Sequence, residues 1–313
     1  MTPFAQGKFV ATTCIALIVG SANQAWSQRS AKQESLDIAK VLDGHHLCFV
    51  GNDSVQFVND NQLVLLAGPD AICYQTVQSL ELVVVTKDGR VLARKPWPST
   101  YPFVALSSSR IAIAGSGEIT VLDDRLRKVQ AIPLPDPRST IALEKEGSDT
   151  LLARASQAGD LAYSGIPLAP TKRFETAPDD RLVYVRESGD VVLLRKLQLV
   201  TFSKGATDKS LADLSWLLDC NKFCQSWSSV RTWTASQNGK RAVFTSSGSR
   251  FPVTDESGLF PFYRLVVIDL ATGKEVYRKE FDTNTAKRSA QLSPSGDVLL
   301  MRNGDELRFQ SIN

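Results

Sequence analysis

The fold of this chain is indicated most clearly by the stretch Ala290-Gln-Leu-Ser-Pro-Ser-Gly-Asp-Val-Leu-Leu300. An apolar segment enters a turn of Pro, Ser, Gly and Asp, and a second apolar segment leaves it, which is the pattern of a β-hairpin. Related phrases occur at 55–65, 104–113 and 234–244. The chain is therefore predicted to be a repeat protein built from β-hairpins.

The spacing of these turns suggests how the hairpins are arranged. From Asn61 to Gly296 the five intervals average about 47 residues, close to the roughly 40–45 residues of a four-stranded propeller blade. Closing such blades into a ring buries both faces of each blade. We expect an all-β propeller of six or seven four-stranded blades, the seventh depending on the weakly patterned region 131–176.

The two chain ends are expected to share a blade, because the C-terminal hairpin is too short to make four strands. The apolar segments 38–41 and 47–50 could supply the missing strands. One short inserted helix is predicted near 209–219, where Leu211, Leu214 and Leu218 recur at helical spacing and Ser210 could cap the first turn.

The repeats resemble those of the WD40/YVTN-type β-propeller family. The segment 292–300 is similar to that family's phe-ser-pro-asp-gly-x-leu-leu phrase, and the segment 267–276 to its val-x-asp-x-x-thr-gly-lys-x-val phrase. There is no Trp-Asp dipeptide, so the resemblance covers the repeats in degenerate form. It implies a platform that binds proteins or ligands. The segment 267–276 is also similar to the docking motif of quinoprotein dehydrogenases, which those enzymes carry in many blades and this chain in one.

The N-terminus has the pattern of a cleaved signal peptide. Lys8 precedes an apolar run from Phe9 to Gly20, and Ala25 and Ser27 satisfy the small-x-small cleavage rule. The predicted domains are a signal peptide at 1–27, a flexible tether at 28–37 and a single propeller at 38–313, in a secreted or periplasmic protein. The alternative is a single N-terminal anchor helix, for which the apolar run is short.

Composition limits the partners of the mature chain. The net charge of +3 contains Lys8, so it falls to +2 after cleavage, and no block of Lys or Arg stands out. We therefore expect no nucleic-acid partner. No second segment approaches the length of a membrane span, so the mature chain is predicted to have none.

The cysteines that remain after cleavage are Cys48, Cys73, Cys220 and Cys224. In an oxidising compartment an even number predicts disulfides, and local pairing favours Cys48 with Cys73 and Cys220 with Cys224, although three connectivities exist. A zinc site would want more His or Cys nearby, and His45 and His46 are the chain's only histidines. Redox chemistry favours a Cys-x-x-Cys spacing, which the chain lacks.

Aromatic residues in predicted loops are the candidate binding surface. These are Trp97, Tyr101, Phe260, Phe262 and Tyr263, and exposed rings of this kind make binding anchors. The alternative is burial, because propeller cores also use aromatic rings between blades.

No catalytic, cofactor or metal residue can be assigned from the sequence, since no Gly-x-Ser-x-Gly phrase or alternating-acid calcium loop is present. The predicted function is an exported, non-catalytic and monomeric module that binds a protein partner or small ligand at one propeller face. The alternative is a hydrolase or lactonase-like enzyme with a metal in the central channel. Converging carboxylates or histidines in the channel would favour the enzyme.

Overall fold

The computed structural model describes residues 34–48, 54–69, 80–97, 103–115, 117–135, 141–146, 150–155, 159–203, 207–219, 230–250, 260–281 and 288–312. Three short elements come first: β1 (Glu34–Asp37), α1 (Ile38–Val41) and β2 (His46–Leu47). The remaining strands form groups of three or four that are consecutive in the chain. Each group forms one antiparallel sheet, which we call a blade.

Blade 1 contains β3 (Val55–Asn59), β4 (Gln62–Gly68), β5 (Leu80–Thr86) and β6 (Val91–Trp97). Blade 2 contains β7 (Phe103–Leu106), β8 (Arg110–Ala114), β9 (Glu118–Leu122) and β10 (Lys128–Pro133). Blade 3 contains β11 (Ile141–Glu146), β12 (Thr150–Ala155), β13 (Gly159–Ser164) and β14 (Ala169–Thr171).

Blade 4 contains β15 (Asp180–Val185), β16 (Val191–Arg195), β17 (Gln198–Phe202) and β18 (Lys209–Asp213), followed by a 3₁₀ turn at Ser215–Leu217. Blade 5 contains β19 (Val230–Ala235), β20 (Arg241–Arg250), β21 (Phe260–Asp269) and β22 (Glu275–Phe281). Blade 6 contains β23 (Arg288–Leu292), β24 (Val298–Asn303) and β25 (Glu306–Ser311).

The blades close into a ring around their first strands. The contacts run β3–β7–β11–β15–β19–β23, and β23 returns to β3. Blade 6 takes its fourth strand from the other end of the chain, because β1 pairs with β25 in the register Glu34↔Phe309 to Asp37↔Glu306. The described residues thus form a propeller of six blades, and the predicted all-β propeller is confirmed. The region 131–176 contributes the one blade β11–β14, so no seventh arises there.

Closure of blade 6 by the N-terminal part of the chain is as predicted, but neither predicted segment provides it. Of 47–50, Leu47 lies in β2, which pairs with β4 of blade 1. Residues 34–37, which belong to the predicted tether, form β1. The segment 38–41, expected to be a strand, is the helical turn α1, capped by Asp37, whose carboxylate accepts from Lys40 N at 3.4 Å. The reason is that Leu36 alone carries the apolar signal of β1. It pairs with Leu307 and is buried beside Leu42 and Phe309.

The helical segment near 209–219 is present but shorter than the spacing suggested. Lys209–Asp213 is the outer strand of blade 4, and the 3₁₀ turn covers only Ser215–Leu217. Leu211, Leu214 and Leu217 all pack on the core between blades 4 and 5. A strand that runs into a tight turn can thus present leucines to one core at the same intervals as a helix.

The cores lie between neighbouring blades. Leu63, Leu65 and Val83 of blade 1 pack on Leu300 and Leu307 of blade 6, and similar clusters join blades 1 and 2, 2 and 3, 4 and 5, and 5 and 6. Full burial of a Leu or Val side chain is worth about 1.5–3 kcal/mol, so these seams hold the ring. Within the described ranges, no helix is long and apolar enough to cross a membrane.

Candidate functional site

One face of the propeller carries two turns of most blades: the turn between the first and second strands, and the turn between the third and fourth strands. We call it the hairpin face. The repeated Pro/Ser/Asn/Gly phrase of the sequence lies in the first of these turns. In blades 5 and 6 these turns are 236–240 and 293–297. The second strand of each blade ends, and the third begins, at the opposite face, because antiparallel strands alternate in direction.

The first turns of neighbouring blades bind one another. Asn238 of blade 5 donates from its backbone N to Pro294 O at 3.4 Å and from Nδ2 to Ser295 O at 2.8 Å. The buried Arg241 donates from Nη1 to Gly296 O at 2.8 Å. The phrase that marks the repeats therefore also joins one blade to the next.

The same linkage continues into blades 1 and 2. Ser295 N donates to Asp60 Oδ1 at 2.9 Å, and Asn59 Nδ2 donates to Ser109 Oγ at 3.3 Å. Inside the ring, Gln56 Nε2 donates to Phe103 O at 2.9 Å and its Oε1 accepts from Ala105 N at 2.7 Å. This amide bridges two inner strands as a backbone peptide would. These polar contacts join blades 5, 6, 1 and 2 in succession.

A cleft of about 200 Å³ opens on the hairpin face between blades 2 and 3. Its floor consists of Leu106, Val121 and Leu168, which belong to the buried core shared by the two blades. Its walls include Val129 and Ile166, whose exposures of 47% and 55% are high for aliphatic side chains. Apolar side chains at an open cleft that continues into a core are a feature of binding surfaces.

Two local devices shape this cleft. The β9–β10 register shifts between Lys128 and Gln130, so Val129 is the extra residue of a β-bulge. Bulges redirect side chains, which accounts for the exposure of Val129 on an outer strand. Gln130 then clamps the β13–β14 turn, because its Nε2 donates to Leu168 O at 2.8 Å and its Oε1 accepts from Leu168 N at 2.9 Å.

The polar end of the cleft is Arg110, the first residue of β8, with Ser107 beside it in the lining. Arg110 is partly buried, and no hydrogen bond or ion pair joins its guanidinium to the described part of the chain. Two other cations of this face do have partners: Lys240 pairs with Asp297, and Arg127 with Asp123 at 2.7 Å. The cleft therefore offers an uncompensated positive charge next to apolar walls.

The predicted aromatic anchors lie away from this cleft. Phe262 and Tyr263 in β21 are 0% and 6% exposed, which is the alternative of burial that the sequence left open. Trp97, at the end of β6, is partly buried against the core between blades 1 and 2. Tyr101 and the side chain of Phe260 lie outside the described residues.

An aromatic contact that the sequence did not suggest fixes the 3₁₀ turn after blade 4. The ring of Trp216 lies 5.1 Å from the guanidinium carbon of Arg264 and 4.4 Å from that of Arg278. Arg264 Nη1 also donates to Trp216 O at 2.7 Å, and its Nε donates to Glu280 at 2.8 Å. Cation–π pairs of this kind are worth about 0.5–2 kcal/mol each, so they anchor the turn on blade 5.

The cysteines and histidines supply no metal cluster within the described residues. Cys48 is buried beside Val58 in the core between blades 1 and 2, whereas Cys73, Cys220 and Cys224 lie outside the described residues. His46 Nδ1 lies 2.7 Å from Asp305 Oδ2, and the other oxygen of Asp305 accepts from Leu47 N at 2.7 Å. His46 thus joins β2 to the β24–β25 turn of blade 6.

Asp180, the first residue of β15, has the most buried carboxylate among the described residues and takes part in an ion pair. Asp180 is 4% exposed and receives two hydrogen bonds from Arg195, at 2.8 and 2.9 Å. These bonds hold the pKa of the Asp180 carboxyl below its ordinary value. Arg195 also binds Asp208, so the three side chains form one network within blade 4. Asp180 is therefore committed to an ion pair.

No family model matches this chain, and no curated protein matches it in sequence. Solved structures similar to it include Hsv2 of Kluyveromyces lactis, at 10% identity and a TM-score of 0.42 over 86% of this chain and 74% of that one. The Pan2 WD40 domain of Neurospora crassa has 9% identity and a TM-score of 0.41, over 83% of this chain and 88% of that one. TolB from Acinetobacter baumannii has 14% identity and a TM-score of 0.41, over 82% of this chain and 65% of that one.

Such distant likenesses concern the fold alone. The assignment rests on the strand pairing itself, which forms six blades closed by strands from both chain ends. The described part of the chain is a six-bladed β-propeller, the class of fold that the turn phrases predicted.

Proposed function

We propose that this chain is an exported, non-catalytic propeller that binds a protein partner through the cleft between blades 2 and 3. The observation that carries the proposal is the cleft itself, with Val129 and Ile166 exposed at its mouth and Arg110 uncompensated within it. Apolar side chains around a well-packed pocket, together with one arginine, are typical of the centre of a protein interface.

The N-terminal pattern of Lys8, the apolar run and the Ala25/Ser27 cleavage rule supports the proposed export. The mature chain would begin at Gln28, which leaves β1 intact for closure. The intact mass of protein recovered from the periplasm or medium would test this. Membrane-bound protein that still carries its first 27 residues would contradict a cleaved signal peptide in favour of an N-terminal anchor.

The binding role is tested by cross-linked capture from the native envelope with tagged mature protein. We compare the wild type with the double variant Val129→Asp/Ile166→Asp. The matched control is Val276→Asp, a valine that is 39% exposed on the outer strand of blade 5. We expect a partner whose cross-links fall on blades 2 and 3, which the double variant loses and the control retains. Equal capture by all three proteins would contradict a role for the cleft.

A further inference from the structure

The lining of the cleft restricts the chemistry of its ligand. Arg110 is partly buried without a counter-charge in the described residues, and partial burial of an unpaired cation is unfavourable. An anion bound there would restore the missing charge-assisted hydrogen bonds, and guanidinium binds carboxylates in a two-pronged geometry. Because Leu106, Val121 and Leu168 form the floor, the same ligand has to place an apolar group beside its anion.

The size of the cleft limits that group to about one side chain. A cavity of ~150 Å³ lined by apolar side chains holds a benzene ring, whereas drug-sized pockets occupy roughly 300–1,000 Å³. The cleft, at about 200 Å³, lies between these values, so it suits one aliphatic side chain together with a carboxylate. The exposure of Val129 and Ile166 at the mouth lets the rest of a longer ligand continue into solvent.

Within a polypeptide, only one kind of residue supplies this combination by itself. An internal Leu or Val has no charge, and an internal Asp or Glu has no separate apolar group. The C-terminal residue carries an α-carboxylate and an apolar side chain on the same carbon. Capture of a C-terminal carboxylate is an established mode of peptide recognition, for which other proteins use backbone N–H groups.

We propose that the cleft between blades 2 and 3 binds the C-terminal residue of a partner polypeptide that ends in an aliphatic side chain. Arg110 pairs with the α-carboxylate, and the apolar floor takes the side chain. The inference rests on the proposed function, because it names the part of the partner that the cleft binds.

The test measures fluorescence anisotropy with a fluorescein-labelled peptide Gly-Gly-Ser-Gly-Leu, as the free acid and as the C-terminal amide. We expect the free acid to bind wild-type protein at least ~10-fold more tightly than the amide, the effect of one charge-assisted contact. Arg110→Gln should abolish this preference while leaving the binding of the amide nearly unchanged. The matched control, Arg90→Gln, removes an exposed arginine from the β5–β6 turn of the same face and should keep the preference.

Three results would overturn the inference. Equal affinity of wild-type protein for acid and amide would show that the chain end is not recognised, and this arm needs no variant. Preference for the acid that survives in Arg110→Gln would place the carboxylate elsewhere. Hexanoate that competes as strongly as the peptide would assign the site to free aliphatic acids. If envelope capture still depends on Val129 and Ile166 in these cases, the proposed function stands and only the chain-end assignment fails.

Discussion

Single residues in the turns show how tightly neighbouring blades approach. Gly273, in the β21–β22 turn, has φ +72°, and a Cβ at this position would overlap the carbonyl group of Leu211 in blade 4. Gly304, in the β24–β25 turn, has φ +64°, but nothing lies within 4 Å of the position of its Cβ. The two glycines share a left-handed backbone and differ in whether another blade is close.

This difference predicts unequal costs of substitution. Gly304→Ala should lower the free energy of unfolding by about 1–2 kcal/mol, the cost of the left-handed conformation alone. Gly273→Ala should cost about 3 kcal/mol or more, because overpacking adds roughly 1–3 kcal/mol. Urea unfolding of both variants measures the two values. Equal losses would show that blade 4 can yield at Leu211.

A second prediction concerns the ion pair of blade 4. Asp180→Asn should lower the free energy of unfolding at pH 7 by about 2 kcal/mol, because it weakens a buried contact. Arg195 is partly exposed and keeps Asp208, which limits the loss. Asp160 is more exposed than Asp180. Asp160→Asn, which removes the ion pair with Arg173, should therefore cost less than about 1 kcal/mol.

The pH dependence of this effect has a definite sign. The pKa of Asp180 is lowered in the folded protein, so its stabilisation is present above the unfolded pKa of about 3.9 and is lost as the pH falls through the folded value. The difference between wild type and Asp180→Asn in urea unfolding should therefore stay nearly constant from pH 7 to about pH 5 and shrink as the pH falls to about 3 and below. A constant difference over this range would contradict the assignment of the shift to the Arg195 contact.

Among the strands, β1 has a weak sequence pattern, with Leu36 as its one apolar core residue, but a large structural role. It closes blade 6 through its pairing with β25 and buries Leu36 against Leu307. Without β1, the edge of β25 would be open to pairing with another chain. In the outer strand β10, by contrast, a local irregularity leaves the blade intact. The bulge at Val129 changes which side chain reaches solvent, and the pairing with β9 continues on both sides of it.

The role of β1 predicts the effect of truncation. A chain that begins at Ile38 should melt at least ~5 °C below one that begins at Gln28, since loss of one buried Leu alone removes about 1.5–3 kcal/mol. It should also aggregate at lower concentration, which light scattering would detect. If both chains melt at the same temperature and stay monomeric, closure by β1 is dispensable and residues 34–37 act as the predicted tether.

For the complete propeller, the predicted export and the predicted disulfides belong together. Mature protein purified without reductant should contain no free thiol at Cys48, Cys73, Cys220 or Cys224, because an oxidising compartment favours pairing. Non-reducing peptide mass spectrometry with thiol alkylation measures this and identifies the connectivity. Two or more alkylated cysteines would contradict the disulfide prediction.

The local pattern of residues was sufficient for the class of fold and for most hairpins. Turn phrases such as Pro294-Ser-Gly296 depend on short-range chemistry, namely a positive φ at Gly296 and polar side chains that satisfy the turn. Alternating apolar segments then define the strands that enter and leave each turn. Both properties are visible in a few consecutive residues, so the number of blades followed to within one.

Other features depend on residues that are far apart in the chain. Leu36 lies in a strand because it pairs with Leu307, near the other end of the chain. Leu211 lies in a strand and Leu214 directly after it, because both pack against blade 5. The cleft exists only where the bulge at Val129 meets the turn at Ile166, and its unpaired charge is defined by what surrounds Arg110. Such features are sums over contacts between blades, and a linear pattern does not contain those contacts.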